Sequence, residues 1–143
     1  MAMRLEIVTA ERVLYEGDAE VVVIPGIDGE VAVLPKHAAL MTVLQAGELR
    51  FRVAEIEHQF VVTGGFAEVR GNQVSVLADA AEHVDEIDES RAEEAARRAQ
   101  ERISSTGSDI DMERALRSLR RAQIRVSISR RRRRRVNQAT IQN

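Results

Sequence analysis

The chain has 143 residues, of which 44% are hydrophobic and 3% aromatic, with no cysteine and a formal net charge of -2. That length holds one modest core plus an appendage rather than two ordinary domains, and the lack of cysteine excludes disulfides and thiolate chemistry and fits a reducing cytoplasm. No stretch approaches the ~20 apolar residues of a membrane span, and Met1 to Glu6 lacks the pattern of a secretion signal, so a peripheral position is as near to a membrane as these features allow.

The charge is divided. Before Ile87 there are 15 acidic and 6 basic residues; from Ile87 onward there are 8 acidic and 15 basic, so the two parts carry about -9 and +7. A split of this kind across a change of pattern points to two modules.

In the first module, period-two alternation predicts strands at Leu5 to Ile7 and at Val13 to Tyr15. The run Val21 to Ile24, the turn formers Pro25-Gly26 and Asp28-Gly29, and the run Val31 to Leu34 predict a hairpin ended by Pro35. Further strands are predicted at 49–53, 60–62, 67–69 and 74–78, with turns at Gly47, Gly64-Gly65 and Gly71-Asn72. Seven to ten short strands without intervening helices read as an antiparallel sandwich or barrel over residues 1–84.

From residue 85 the period becomes 3.6. Ala92, Ala95, Ala96, Ala99 and Ile103 form one stripe, with Asp88 as the helix N-cap and Ser104 to Gly107 as its end. Ser108 and Asp111 resemble a capping box, after which Met112, Ala115, Leu116, Leu119, Ala122 and Val126 form a second stripe. The short loop predicts an antiparallel two-helix hairpin over 85–129. Its Ala-rich faces bury little area while Ala keeps each helix stable alone, so the hairpin is expected to open without melting.

Signatures of catalysis are missing. The sole lysine, Lys36, follows Pro35 and belongs to no phosphate loop; no Gly-x-Ser-x-Gly or His-Glu-x-x-His occurs; His37, His58 and His83 are scattered and read as structural or solvent-facing. Glu55 and Glu57 read as one solvated side of a strand. Catalytic and metal-ligating residues are therefore assigned to none. One constellation remains: Arg91 and Arg98 lie along one face of the first helix, and Arg121 and Arg125 along one face of the second. If closure brings these faces together, an anion relieves their repulsion, and phosphate suits guanidinium forks; a merely solvated face is the alternative. Arg130 to Arg135 followed by a polar end reads as a disordered, solvated tail over 130–143. Without aromatic residues after Phe66 it has no means of base stacking, so no specific nucleic acid is expected.

The segments Ile24 to Ala38, Val62 to Val69 and Val76 to Glu82 closely resemble the epsilon subunit of bacterial rotary ATP synthases, in the correct order and over residues 3 to about 129. The resemblance implies a noncatalytic central-stalk subunit of a proton-translocating enzyme, peripheral on the cytoplasmic face of the membrane and touching the membrane only indirectly. Its sandwich would contact the gamma subunit and the c-ring. Its hairpin, extended, would reach the alpha and beta subunits of the catalytic head and inhibit ATP hydrolysis; residues 89–126 as continuous helix would span about 57 Å. Ile87-Asp88-Glu89-Ser90-Arg91-Ala92 matches the family's Ile-Asp-x-x-Arg-Ala motif, and Glu82, Arg98, Arg121 and Arg125 match further positions. The resemblance thus implies regulatory ATP binding by Glu82, Ile87, Asp88, Arg91, Ala92, Arg98, Arg121 and Arg125, favouring the folded hairpin. The run Arg130 to Arg135 departs from the family pattern. Two other readings stay open: a free nucleic-acid or anionic-surface binding protein using the basic tail, and a stand-alone nucleotide sensor.

Overall fold

A computed structural model describes residues 2–105 and 109–141, divided into two compact units at His83/Val84. The first is a β-sandwich with strands β1 (Met3–Val8), β2 (Val13–Ala19), β3 (Val21–Gly26), β4 (Gly29–Val33), β5 (Leu40–Val53), β6 (Ile56–Arg70), β7 (Gln73–Ala78) and β8 (Ala81–His83). The strands are hydrogen-bonded in the order β2-β1-β7-β6-β5-β3-β4, with β8 on β6. All pairings are antiparallel except β1 with β7.

Strands β5 and β6 are 14 and 15 residues long, and β6 changes neighbours along its length while β5 stays between β6 and β3. Phe60 to Val62 of β6 pair with β8, whereas Gly65 to Arg70 pair with β7. Gly64-Gly65, predicted as a turn, lies inside β6, with φ of 121° and 116°. A Cβ on Gly65 would collide with the carbonyl of Leu77 and stand 2.8 Å from Ala78 Cα, so strand β7 lies where only glycine fits. Gly47, also predicted as a turn, lies inside β5. The strand from Leu40 to Gln45 escapes the predicted set because Met41 and Val43 are exposed while Leu44 is buried, so apolar residues face both ways and hide the alternation.

Glu55 is not on a strand: Ala54 and Glu55 form the two-residue turn between β5 and β6, both with positive φ (50° and 67°), as a type I′ turn requires. Neither residue favours that region. The Glu20 carboxylate holds the turn by accepting the Ala54 N–H at 3.0 Å and Arg52 Nε at 3.3 Å.

The core is aliphatic around one aromatic file. Leu5, Ile7, Val22, Ile24, Leu49, Val62 and Val74 are fully buried, and Phe51 stacks on Phe60 at 6.0 Å and on His58 at 4.9 Å. His83 meets Phe60 edge-on at 5.0 Å. On the outer face Val43, Phe66 and Leu77 stand in one cross-strand row and are 42%, 52% and 53% exposed. Met41 lies two residues along the same side of β5, and Ile27 donates its backbone N–H to the Val43 carbonyl.

The second unit begins with a single 3-10 turn, Val84–Glu86, followed by α1 (Glu89–Ser105) and α2 (Asp109–Ile141). The predicted ends at Thr106, Gly107 and Ser108, including the Ser108 half of the capping box, lie outside the described residues. Arg130 to Arg135 are helical, not an irregular tail. No helix among the described residues is long and apolar enough to cross a membrane.

Gly65→Ala is expected to destabilise the sandwich by about 2–4 kcal/mol, combining backbone strain with overpacking. Gly29→Ala, at φ 132° with no atom within 4 Å of its Cβ, should cost only the strain, about 1–2 kcal/mol. Urea unfolding midpoints of the two variants measure the difference.

Candidate nucleotide site in the helical hairpin

Helix α1 starts where Asp88 caps it. Asp88 Oδ1 accepts the Arg91 N–H at 3.1 Å, and the Asp88 carbonyl accepts the Ala92 N–H at 3.0 Å, satisfying donors that the first turn leaves open. The same carboxylate attracts the Arg91 side chain, with Nε to Oδ2 at 3.6 Å. That pair is exposed, so it orients Arg91 more than it stabilises the fold.

The helices meet along small side chains. Buried residues of α1 are Ala92 and Ala99, and those of α2 include Ala115, Ala122 and Val126. Repeats of seven and four keep these positions on one face of each helix. Arg130 Nε lies 3.1 Å from Glu89 and its Nη2 2.5 Å from Glu93, so the late part of α2 runs beside the start of α1 and the helices are antiparallel.

That arrangement fixes the predicted arginines. Arg91 and Arg98 each precede a buried alanine of α1 by one residue; Arg121 and Arg125 precede Ala122 and Val126 in the same way. One residue back is a rotation of about 100°. In an antiparallel pair the same rotation on both helices leads to the same side, so the four arginines share one flank. Arg91, Arg98 and Arg121 are exposed and Arg125 is half-buried; Arg121 also donates to Ser118 Oγ at 3.3 Å. Ala92 is fully buried and thus contributes packing. Ile87 is half-buried between the 3-10 turn and α1, its N–H directed to the Val84 carbonyl at 3.3 Å. Glu82 belongs to the other unit, in β8, paired in register with Val61. The geometry therefore gathers Asp88, Arg91, Arg98, Arg121 and Arg125 within the hairpin. No group of histidine, cysteine, aspartate and glutamate that could hold a metal occurs among the described residues.

The arginine run makes a second set of contacts. Asp85, Glu89 and Glu93 recur every four residues, and Arg132 pairs with Asp85, Arg130 with Glu89 and Glu93, and Arg133 with Glu89 at 3.4 Å. Hydrogen bonds to Glu93 first, then Glu89, raise the pKa of Arg130 above that of a free arginine. These carboxylates are the reason the run is helical: they offset charges that would otherwise repel one another. The four-residue recurrence of acids was the available signal, but its partners lie 37 to 47 residues away.

Comparison with known proteins is decisive. The chain matches the ATP synthase Delta/Epsilon chain beta-sandwich domain over residues 2–84 and the long alpha-helix domain of the same chain over residues 85–130. It belongs to the ATP synthase epsilon chain family. It is 55% identical over 98 residues to an epsilon chain of Dehalococcoides mccartyi, covering 68% of this chain and 70% of the relative. It is 46% identical over 109 residues to that of Desulforamulus reducens, covering 76% and 83%. A chain in the Euglena gracilis mitochondrial ATP synthase shares the epsilon-chain fold, with a TM-score of 0.77 at 21% identity over 86% of this chain and 78% of that one. The helical-domain match ends at residue 130, so most of the arginine run lies beyond it.

Glu89→Gln removes a partner of both Arg130 and Arg133. In 50 mM salt, amide exchange near residues 126–133 is expected to accelerate about two- to fivefold, and the difference should vanish near 1 M salt. Exchange mass spectrometry at the two salt concentrations checks this.

Proposed function

We propose that this chain is a noncatalytic central-stalk subunit of a rotary ATP synthase, peripheral on the cytoplasmic face of the membrane, that couples rotation to proton-driven ATP synthesis. Its family membership supports the role. In the structure, the exposed row Val43-Phe66-Leu77, flanked by Met41, supports a sandwich that docks on a protein partner, because contiguous apolar surface of this kind is unfavourable in water. The gamma subunit and the c-ring are the proposed partners.

We further infer that the hairpin inhibits ATP hydrolysis when it opens and extends toward the alpha and beta subunits, and that ATP favours its closed form. The observation carrying this reading is the alanine seam. A buried Ala methyl contributes about 0.8 kcal/mol, against about 1.5–3 kcal/mol for a fully buried Leu, so separating the helices costs less than in a Leu-lined hairpin. A ligand held by Arg91 and Arg98 from α1 and by Arg121 and Arg125 from α2 binds only when the two are closed, and shifts the equilibrium by its differential affinity. Asp88 presents an acceptor for a base or sugar beside those cations. ATP here is a ligand, with no bond made or broken on this subunit.

Two measurements test the reading. Truncation after Asp85 should raise ATPase activity of the reconstituted complex; unchanged activity would remove the inhibitory role. Calorimetry of the full chain with ATP should show affinity falling about tenfold or more in Arg91→Ala and in Arg121→Ala, the loss of a charge-assisted contact. Equal affinity in both variants would refute the nucleotide site.

A further inference from the structure

The other flank of the hairpin holds a groove of about 630 Å³. Glu93 and Gln100 each follow a buried alanine of α1 by one residue, and Gln123 follows Ala122, so this side is reached by turning opposite to Arg91 and Arg121. Ala96, Leu119 and Val126 give the groove an apolar floor. Arg97 borders it from α1, and Arg130, Arg131 and Arg134 from α2, against Glu93 as the one bordering carboxylate. Neutral hydrogen-bonding groups come from Gln100, Gln123 and Ser127.

The cations are unequally engaged. Arg130 is held by Glu93 and Glu89, as described above. Arg97 is only loosely answered by Glu101, at 3.9 Å between exposed groups. Arg134 makes no hydrogen bond or ion pair among the described residues. Guanidinium groups from two helices thus border one concave surface with more positive than negative charge. Each fork matches two oxygens of a phosphate, and a ligand reaching both helices needs more than one anionic centre.

We propose that this groove is a second anion site, separate from the Arg91 flank, that takes a di- or triphosphate group. The phosphate chain bridges Arg97 of α1 to Arg134 of α2, with Arg130 held at the rim by its glutamates. Because both helices supply ligands, binding requires the closed hairpin and favours it. The site draws on the arginine run, so it is independent of whether the Ile87 to Ala92 motif binds ATP.

The test is calorimetric titration of the full chain with sodium tripolyphosphate in about 50 mM salt, with sulfate as the comparison anion. Wild type is expected to bind tripolyphosphate at least about tenfold more tightly than sulfate. Arg97→Gln and Arg134→Gln should each weaken binding about three- to tenfold, while Arg70→Gln, on strand β6 of the other unit, stays within about twofold of wild type; Arg91→Ala reports separately on the opposite flank. Circular dichroism of each variant shows that the helices persist. Unchanged affinity in Arg97→Gln and Arg134→Gln overturns the proposal. So does a loss confined to Arg91→Ala, which would put the anion on the opposite flank and leave the nucleotide reading standing. Displacement by ATP that requires Arg134 identifies the phosphate chain of a nucleotide as the occupant; binding that ATP does not displace identifies a free polyphosphate.

Discussion

The contact on which the second unit depends is the approach of two helices along alanine. Ala92 and Ala99 facing the stripe of Ala115, Ala122 and Val126 allow close packing with little apolar area, so the seam is specific in register but modest in energy. The groups that flank it gain influence in proportion. A Leu-lined seam would leave nearby charges with small corrections to a large number; here a few ion pairs or one bound anion is comparable with the seam itself.

The flanks differ in character. On one side Arg91, Arg98, Arg121 and Arg125 stand with Asp88, one of whose carboxylate oxygens caps α1. On the other, Glu89 and Glu93 meet Arg130 and Arg133, closing the late part of α2 onto the beginning of α1. Cationic excess on the first side opposes closure; on the second, the ion pairs of Glu89 and Glu93 favour it against the remaining charge of Arg97 and Arg134. The stability of the closed hairpin therefore depends on charges whose strength varies with salt.

How much of this was legible followed the range of the interactions. The N-cap at Asp88 and the stripes of both helices depend on neighbours within fourteen residues, and local spacing reveals them. The shared flank of Arg91, Arg98, Arg121 and Arg125 follows from spacing as soon as the helices are antiparallel. The fate of Arg130 to Arg135 depends on Asp85, Glu89 and Glu93, about forty residues earlier; read locally, six like charges speak for disorder. Gly64-Gly65 misleads for a similar reason. A glycine pair commonly signals a turn, but here its cause is the Leu77–Ala78 backbone of a neighbouring strand, which no local pattern contains. Glu55 and Glu57 do not share one side of a strand because Ala54-Glu55 forms a tight turn without the usual glycine or asparagine, held by Glu20 from the link between β2 and β3.

The long strands β5 and β6 also have a mechanical meaning. In a sandwich built of short strands, the two layers are joined by side-chain contacts and loops, and sliding one layer over the other disrupts mainly packing. Here β6 runs unbroken from its pairing with β8 to its pairing with β7, so shear between the layers must bend covalent backbone and break the ladder between β5 and β6, which pairs Leu40 with Val69 at one end and Val53 with Ile56 at the other. The first unit is stiff against twisting along that hairpin, and a torque applied to one layer passes to the other through the chain itself.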